Sequence, residues 1–315
     1  MRAVLGIDTS CYTTSAALVD ADGAILADVR RPLPVPPGAL GLRQSHAVFA
    51  HVRALPALLA ETMMQAPGSV LCAVAASARP CDAEHSYMPV FTAGESQARA
   101  AASLLRLPFY AVNHQAGHLR AAREGAALGT EDDLLWLHLS GGTTQVLAGQ
   151  QGRLTLVGRT LDISAGQLVD RVGVALGLPF PCGPHLEALA EAGSPADRGM
   201  RASLAGCDCH LSGAEAQCMR WVRAGVPPAQ VAARVYAVLC DTVWGMIQAA
   251  AAVTGIRRAL LAGGVASSAL LRRLMADKAS GVALHWAQPC LCGDNAVGVA
   301  LLGLAAWRQQ TKEGD

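Results

Sequence analysis

A short pattern occurs twice in the chain, at a fixed distance of 130 residues. Residues 5–14 and residues 135–144 share a Leu, a Ser and a Thr-Thr pair at equivalent positions. Each copy is an apolar run that ends in a polar turn, and two further apolar runs follow it. Such internal repetition predicts a duplicated strand–turn–strand architecture. The alternative is a coincidence between two unrelated β-hairpins.

The segments between and after the two copies alternate between short apolar runs and longer helical patterns. Residues 70–76, 109–112, 259–261 and 284–287 are typical of buried strands. Helical spacing covers residues 45–65, 92–105, 163–176, 185–192, 230–254 and a final helix that ends at 309. Strand–helix units that follow strand-rich hairpins favour an α/β fold.

We therefore expect two duplicated α/β lobes around a cleft. The first lobe is expected to contain residues 1–112 and the C-terminal helix 296–315, and the second lobe residues 113–295. A chain of 315 residues with 52% hydrophobic and 16% charged residues has ample material for two cores.

Charge and apolar runs limit the classes of partner. The net charge is +1, so nucleic acid could bind only through a local basic patch. No signal peptide is expected at the N-terminus, and Arg234, Asp241 and Asp294 interrupt the longest apolar segments. These features predict a cytoplasmic location, no membrane association and reduced cysteines.

Two histidines stand four residues apart at His114 and His118. This spacing places both imidazoles on one face of a helix, and Asn113 could cap that helix. The pair could share a metal ion, or the two rings could lie on a solvated face. Asp294 could supply a carboxylate ligand or could serve only as a helix N-cap. Two His and one carboxylate suit iron(II) or zinc, and magnesium is a further alternative.

Glycine-rich turns provide candidate nucleotide contacts. Residues 140–144 read SGGTT, and Gly263 with Gly264 follows one strand and precedes a helix. Glycines let backbone N–H groups approach phosphate oxygens. Asp170, on a predicted helix, could accept ribose hydroxyls. The alternatives are a plain hairpin turn and an exposed helical carboxylate.

The cysteines offer a weaker metal hypothesis. Ten cysteines include Cys207 and Cys209 beside His210, and Cys290 with Cys292. Both pairs have one intervening residue, whereas zinc knuckles use two or more. We therefore favour structural thiols at these positions.

Several motifs in order resemble the TsaD family, also called Gcp, whose members make threonylcarbamoyl-adenosine in tRNA. The match covers nearly the whole chain and includes GIDTSC at 6–11, HxxxH at 114–118, LSGGxTQ at 139–145, LDxxAGxxxD at 161–170, LGLPxPxGP at 176–184, LSG at 211–213, AGGV at 262–265 and CxDN at 292–295.

The resemblance implies an ASKHA fold with a nucleotide in the cleft and a divalent metal held by His114, His118 and Asp294. The nucleotide would be ATP, AMP or an acyl-adenylate. Its implied contacts are Ser140, Gly141, Gly142, Thr143, Thr144, Asp170, Gly183, Gly263, Gly264 and Ser268.

The family reaction moves threonylcarbamoyl from its adenylate to the exocyclic amine of a tRNA adenosine. A metal would polarise the carbamoyl carbonyl. tRNA is therefore an implied partner. A TsaB-like protein, or a second copy bound through the first lobe, is a further expected partner.

The sequence departs from the family pattern where the chemistry is expected. Tyr12 and Thr13 replace two carboxylates, and neither is a base at neutral pH. Ala116 replaces a Glu between the histidines and Thr143 replaces a third His. Other departures are Ser268, in place of an Asn, and residues 77–82, in place of a glycine-rich stretch. These changes weigh against ordinary tRNA modification.

The leading hypothesis is a divergent TsaD-like carbamoyl-type transferase that binds a metal and an adenine nucleotide. Asp8 and Thr13 are its candidate catalytic residues. The alternative is a catalytically silent nucleotide-binding scaffold, which retention of His114, His118 and Asp294 disfavours. A metalloprotease is disfavoured because Gln115 and Ala116 stand where such enzymes carry a general base. A phosphotransferase that uses Asp8 is a further alternative.

Overall fold

The structure is a computed structural model that describes residues 1–10, 12–34, 42–82, 86–126, 128, 133–150, 153–193, 201–278 and 280–313. Cys11 of the first motif lies outside the described residues, as does part of the proline-rich segment after β3, the third strand.

Twelve strands occur in the described part of the chain: β1 Arg2–Thr9, β2 Thr13–Asp20, β3 Ile25–Pro32, β4 Val70–Arg79, β5 Phe109–Asn113, β6 Leu134–Leu139, β7 Thr144–Gln150, β8 Arg153–Arg159, β9 Ser203–Ala205, β10 Asp208–His210, β11 Arg258–Ala262 and β12 Ala283–Trp286. The α-helices in the same described ranges are α1 Gln44–Gln65, α2 Pro89–Leu105, α3 His114–Arg123, α4 Ala165–Ala175, α5 Gly183–Glu191, α6 Ser212–Arg223, α7 Pro228–Thr254, α8 Ala269–Ala276 and α9 Val297–Glu313. The predicted strands and helices are confirmed, whereas the sequence pattern missed the β9–β10 hairpin and α6.

The chain forms two compact units. Unit 1 contains Met1–Glu124 and Gly293–Asp315, and unit 2 contains Gly125–Cys292. The expected lobe boundaries differ from these units at residues 113–124 and 293–295, which lie in unit 1. The physical reason is that α3 packs against α9, so the two segments share one core.

The two units contain five-stranded sheets of the same topology. In unit 1 the order is β3-β2-β1-β4-β5, and in unit 2 it is β12-β11-β6-β7-β8. In each sheet three consecutive strands run antiparallel. A later strand, β4 or β11, pairs parallel to the first of them, and the last strand, β5 or β12, pairs parallel to that later strand. The repeated sequence therefore corresponds to a repeated fold, which confirms the expected α/β class and its duplicated design.

Glycines allow unusually close packing in unit 1. A side chain at Gly298 would meet the carbonyl oxygen of Gly117 at 1.8 Å, and one at Gly6 would meet the backbone nitrogen of Ala300 at 2.5 Å. The backbone of α9 therefore lies directly against α3 and β1. This packing fixes the start of α9 relative to the start of α3.

Two helices, α1 and α7, are long and apolar enough to cross a membrane by length and composition alone. The expected charges Arg234 and Asp241 do lie within α7, but they do not lower its hydropathy below that of a possible span. Both helices pack within their own units, and α7 contributes a large share of the core of unit 2. Core helices pass the same test, so the finding is weak evidence for a membrane span.

Candidate metal centre and nucleotide-binding loops

The histidine pair lies at the beginning of α3. The side chain of Asn113 accepts a hydrogen bond from the backbone N–H of Ala116 at 2.7 Å and caps the helix as predicted. His114 is the first helical residue, and His118 lies one turn later on the same face. The cap therefore fixes the direction in which both imidazoles project.

Three ligand atoms converge in unit 1. The Nε2 atoms of His114 and His118 are 3.0 Å apart. Asp294 Oδ1 lies 3.2 Å from the Nε2 of His118 and 3.7 Å from that of His114. Two ligands that each lie about 2.1 Å from one metal ion are about 3 Å apart at right angles and about 3.4 Å apart in a tetrahedron. The donor set thus fits one divalent ion.

Asp294 is available as a ligand because another residue caps the next helix. The side chain of Asn295 accepts a hydrogen bond from the backbone N–H of Val297 at 3.0 Å, at the start of α9. Burial opposes the charged carboxylate of Asp294, but His118 and His114 outweigh that effect and hold its pKa well below its usual range. Asp294 is therefore ionised at neutral pH, as a metal ligand must be.

A second carboxylate stands behind His114. Asp8 is fully buried, and its Oδ1 lies 2.9 Å from His114 Nδ1 and accepts a hydrogen bond from the Ser77 hydroxyl. Burial disfavours the protonated ring, but Asp8 and then Asp294 raise the pKa of His114 to about 9. With its Nδ1–H donated to Asp8, His114 would present Nε2 to a metal ion, which would displace the proton that the raised pKa keeps on the ring.

A third histidine supports the loop that follows β1. His51 is fully buried in α1, with Nε2 2.8 Å from the Ser10 carbonyl and Nδ1 2.8 Å from the Thr14 hydroxyl. Desolvation lowers its pKa despite the attraction of nearby carboxylates, so the ring is neutral. Nε2–H therefore donates to Ser10 and Nδ1 accepts from Thr14. Sequence reasoning missed His51, although it stands on the helix face that carries Ala47 and Leu55.

The nucleotide candidates lie in unit 2, around the carboxyl ends of β6 and β11. Gly263 has a φ of +100°, and a Cβ there would meet the Leu139 carbonyl oxygen at 2.4 Å. Gly141 and Gly142 are exposed, with nothing within 4 Å of an added Cβ. The close packing explains Gly263 without a ligand, whereas the two turn glycines leave room for one.

The turn at 140–144 is tied to the start of α4. The Ser140 carbonyl accepts from the Gly166 N–H at 3.1 Å, and the Thr144 hydroxyl accepts from the Ala165 N–H at 2.7 Å. Ser164 caps the same helix through a reciprocal pair of hydrogen bonds with Gln167. The first N–H groups of α4 are thus already satisfied. The Thr143 N–H donates to the Ser140 hydroxyl at 3.1 Å, and the Gly141 carbonyl accepts from the Ser164 hydroxyl at 2.6 Å. The exposed backbone of Gly141 and Gly142 is therefore the part of this turn that leaves room for a ligand.

The other nucleotide candidates have structural partners of their own. Asp170 Oδ1 accepts from the Cys182 N–H at 2.9 Å, just before Gly183 begins α5. Burial raises the pKa of Asp170. The Ser268 side chain caps α8 by accepting from the Leu271 N–H at 3.1 Å. Gly264 has open space at its Cβ position.

The sequence is similar to those of a known protein family. The sequence model of the family described as "TsaD: tRNA N6-adenosine threonylcarbamoyltransferase" matches residues 45–301. The chain belongs to the TsaD family. The tRNA N6-adenosine threonylcarbamoyltransferase of Geobacillus kaustophilus is 33% identical, over 99% of this chain and 93% of its own. The enzyme of the same name from Methanopyrus kandleri is 31% identical, over 95% of this chain and 86% of its own.

The fold of the chain is similar to those of several solved structures. The activator of the 2-hydroxyisocaproyl-CoA dehydratase from Clostridium difficile, with bound ADPNP, aligns with a TM-score of 0.58 at 14% identity, over 99% of this chain and 97% of its own. A ROK family glucokinase from Streptomyces griseus, in complex with glucose and AMPPNP, aligns with a TM-score of 0.56 at 16% identity, over 96% of this chain and 99% of its own. The expected ASKHA fold and TsaD membership are confirmed, and with them the expected transferase class.

Tyr12, Thr13 and Ala116 are the residues at which the sequence comparison indicated departures near the expected chemistry. Tyr12 is exposed and Thr13, the first residue of β2, is half-buried. Ala116 stands between the two histidines of α3. The catalytic role of Asp8 and Thr13 stays a prediction. The geometry gives Asp8 a definite task, because its carboxylate orients His114.

The cysteine pairs differ from the histidine site. Burial raises the pKa of Cys209 to about 11 and also raises that of Cys292. Burial thus favours the neutral thiol over the thiolate, which is the metal-binding form, in the metal-free protein. Within the described residues, His114, His118 and Asp294 are the group that brings three ligand atoms together.

Asp8 should affect metal affinity without touching the metal. Asp8→Asn keeps the shape but can turn its amide N–H towards His114, which disfavours the Nδ1–H tautomer. We expect metal affinity to fall by about 10–100-fold. Isothermal titration with Zn²⁺ measures it, and Asp22→Asn, at an exposed turn, is the control. Unchanged affinity in Asp8→Asn would refute the orienting role.

Asp162 joins two of the TsaD motifs, a role that sequence reasoning missed. Its carboxylate accepts from the backbone N–H groups of Ile163 (2.6 Å), Leu211 (2.8 Å) and Ser212 (3.1 Å). Burial opposes ionisation, but these hydrogen bonds and that of the Ser212 hydroxyl hold the pKa of Asp162 well below its usual range. The position of Asp162 in the LDxxAG motif was the sequence feature that could have indicated this role.

Removal of this carboxylate should destabilise unit 2. Asp162→Ala leaves three backbone donors without their acceptor, and we expect unfolding free energy to fall by about 2 kcal/mol at neutral pH. Because the folded pKa is depressed, this contribution is complete above the usual pKa of 3.8 and is lost as pH falls below it. Urea denaturation at two pH values checks both effects. Equal differences at neutral and acidic pH would contradict the ionic origin.

Proposed function

We propose that the protein transfers a threonylcarbamoyl group from an adenylate donor to an adenosine amine in tRNA, with one divalent metal in unit 1. The single observation that carries the proposal is the convergence of His114, His118 and Asp294 on one point. Membership of the TsaD family supplies the reaction class, since its relatives are named as transferases of this group.

The chemistry of the donor set suits the role of the metal. When bound, a divalent ion would act as a Lewis acid on the carbonyl of the transferred group. His114 and His118 would hold it through Nε2, and Asp294 through its carboxylate. Two imidazoles and a carboxylate suit iron(II) or zinc better than magnesium, which prefers oxygen ligands.

Unit 2 would bind the adenine nucleotide portion of the donor. Gly141 and Gly142 leave space for phosphate oxygens beside backbone N–H groups. Gly183, Gly263, Gly264 and Asp170 are proposed to contact the nucleoside. Two structural neighbours were solved with ADPNP or AMPPNP, and this supports a nucleotide function for the shared fold.

Proton transfer is the step that the departures from the family change most. Tyr12 and Thr13 carry no base for neutral pH, so the proton released by the attacking amine needs another acceptor. Asp8 keeps Oδ2 without a hydrogen-bond partner among the described residues. We propose Asp8 as that acceptor and Thr13 as a residue that positions the substrate.

A silent scaffold is the less favoured function. The described metal ligands keep a geometry that a scaffold does not need. A TsaB-like protein or a second copy of the chain, bound through unit 1, remains the expected protein partner.

The test is direct turnover. Purified protein loaded with Zn²⁺ or Fe²⁺ is incubated with threonylcarbamoyl-adenylate and an unmodified tRNA transcript, alone and with a TsaB-like protein. Modified nucleoside is then measured by mass spectrometry. We expect product that depends on the metal. Lack of product in all combinations, with nucleotide binding intact, would favour the scaffold, and ATP hydrolysis measured in parallel tests the phosphotransferase alternative.

A further inference from the structure

A polar pocket in unit 2 is separate from the nucleotide candidates. It has a volume of about 460 Å³ and lies between α6 and the β9–β10 hairpin. Its lining includes Arg201, His210, Gln217 and Arg220, with Val238 of α7 among the apolar residues. Both elements are those that the sequence pattern had not predicted.

The arginines around this pocket have no acidic partners. A second pocket of about 430 Å³ shares Ser212 and Arg220 with the first and adds Arg223. Arg201, Arg220 and Arg223 are exposed and form no ion pair within the described residues. Arg273, elsewhere in unit 2, is by contrast paired with Glu191 at 2.6 Å. Glu215 also lines the second pocket, but its carboxylate is paired with Arg171 at 3.2 Å. Within the described residues, the acidic side chains of the two linings therefore do not pair with Arg201, Arg220 or Arg223.

The one aspartate in the lining does not neutralise these arginines. Asp162 directs its oxygens at the backbone of Ile163, Leu211 and Ser212. Among the described residues, the basic side chain paired with Asp162 is His210, with Nδ1 at 3.5 Å from Oδ2. The carboxylate of Asp162 is thus occupied by structural bonds. Arg220 donates to the neutral side chain of Gln217, which leaves its charge without an acidic partner among the described residues.

A buried guanidinium lies on α7, outside the lining of both pockets. Arg234 is only 8% exposed, and its Nε and Nη2 have no hydrogen-bond partner within the described part of the chain. It stands one helical turn before Val238 and so shares the helix face that reaches the pocket. Two unsatisfied N–H groups on a buried guanidinium are costly, so Arg234 is suited to an acceptor that the described residues do not supply.

We propose that these two pockets bind consecutive phosphate groups of an RNA strand through Arg201, Arg220 and Arg223. Guanidinium groups recognise phosphate oxygens with paired N–H donors. Arg220 and Arg223 are three residues apart on α6 and lie on one face. With a net charge of +1, the protein can hold a polyanion only through such a local cluster. The inference rests on the proposed function, which supplies tRNA as acceptor.

The test measures tRNA binding apart from transfer. Fluorescence anisotropy with a labelled tRNA transcript compares the wild-type protein with the R201Q/R220Q/R223Q variant across salt concentrations. We expect affinity to fall at least about tenfold and the slope of log affinity against log salt to shrink by about 2 to 3. R273Q, the control, removes an arginine that is already paired with Glu191, and this variant should bind tRNA with wild-type affinity.

The arms of the experiment separate the possible failures. Equal tRNA affinity and salt slope in the wild type and the triple variant would overturn the inference, whether or not transfer occurs. Displacement of tRNA by AMP or inorganic phosphate at concentrations that saturate these arginines would assign the site to a free phosphate ligand instead. If the triple variant loses tRNA while the wild type transfers nothing, the proposed function fails and this site stands. Thermal midpoints exclude misfolding, since all three arginines are exposed.

Discussion

His118→Ala is expected to abolish stoichiometric metal binding and the transfer reaction. The variant removes one of three ligand atoms that lie 3.0 to 3.7 Å apart. It also leaves Asp294 as a partly buried carboxylate with one fewer cationic neighbour. A lost ligand should cost more than the roughly 10–100-fold that loss of an outer hydrogen bond costs. Elemental analysis of metal per protein and titration with Zn²⁺ measure the effect.

His46→Ala is the matched control for this variant, because His46 is an exposed histidine of α1 in the same unit. It should keep the metal content and affinity of the wild type. Nucleotide binding by unit 2 should be unchanged in both variants. If His118→Ala retained one metal per chain at wild-type affinity, the site would have to be elsewhere, and the proposed mechanism would lose its central observation.

Gly298→Ala is expected to destabilise unit 1 and to weaken metal binding at the same time. The added methyl would lie 1.8 Å from the Gly117 carbonyl oxygen and 2.8 Å from the Ala121 backbone nitrogen. Neither is a flexible side chain, so α9 must move away from α3. Forced overlap with backbone should lower the unfolding free energy by at least about 3 kcal/mol.

The loss of metal follows from the position of the glycines. Gly117 lies between the two histidines, and Gly298 lies four residues after Asp294, so separation of α3 from α9 separates the ligands. Urea unfolding and Zn²⁺ titration of the same variant measure both effects. Gly213→Ala is the control, because nothing lies within 4 Å of its added methyl. Wild-type metal affinity in a destabilised Gly298→Ala variant would show that this packing does not set the site.

Local spacing explains why much of the fold could be predicted. The two copies of the strand–turn–strand pattern carry their own alternation and turn residues, and they formed two sheets of the same order. The cap at Asn113 and the one-turn spacing of His114 and His118 are likewise set within a single helix. The β9–β10 hairpin was not predicted because each of its strands is three residues long, which is too short for an alternating apolar pattern to be recognised.

The sequence by itself determined the duplicated α/β topology, the kinds of ligand atom and the helical face that carries two of them. The resemblance already implied Asp294 as a ligand, but only the tertiary structure shows that its carboxylate, 176 residues beyond His118, lies 3.2 Å from the His118 Nε2. It also places Asp8 beside His114 and, among the described residues, leaves Arg201, Arg220 and Arg223 without acidic partners. The physical reason is that helical spacing is fixed by bonds between neighbouring residues. Distances across the chain depend on how closely α9 can approach α3, and glycine packing sets that approach.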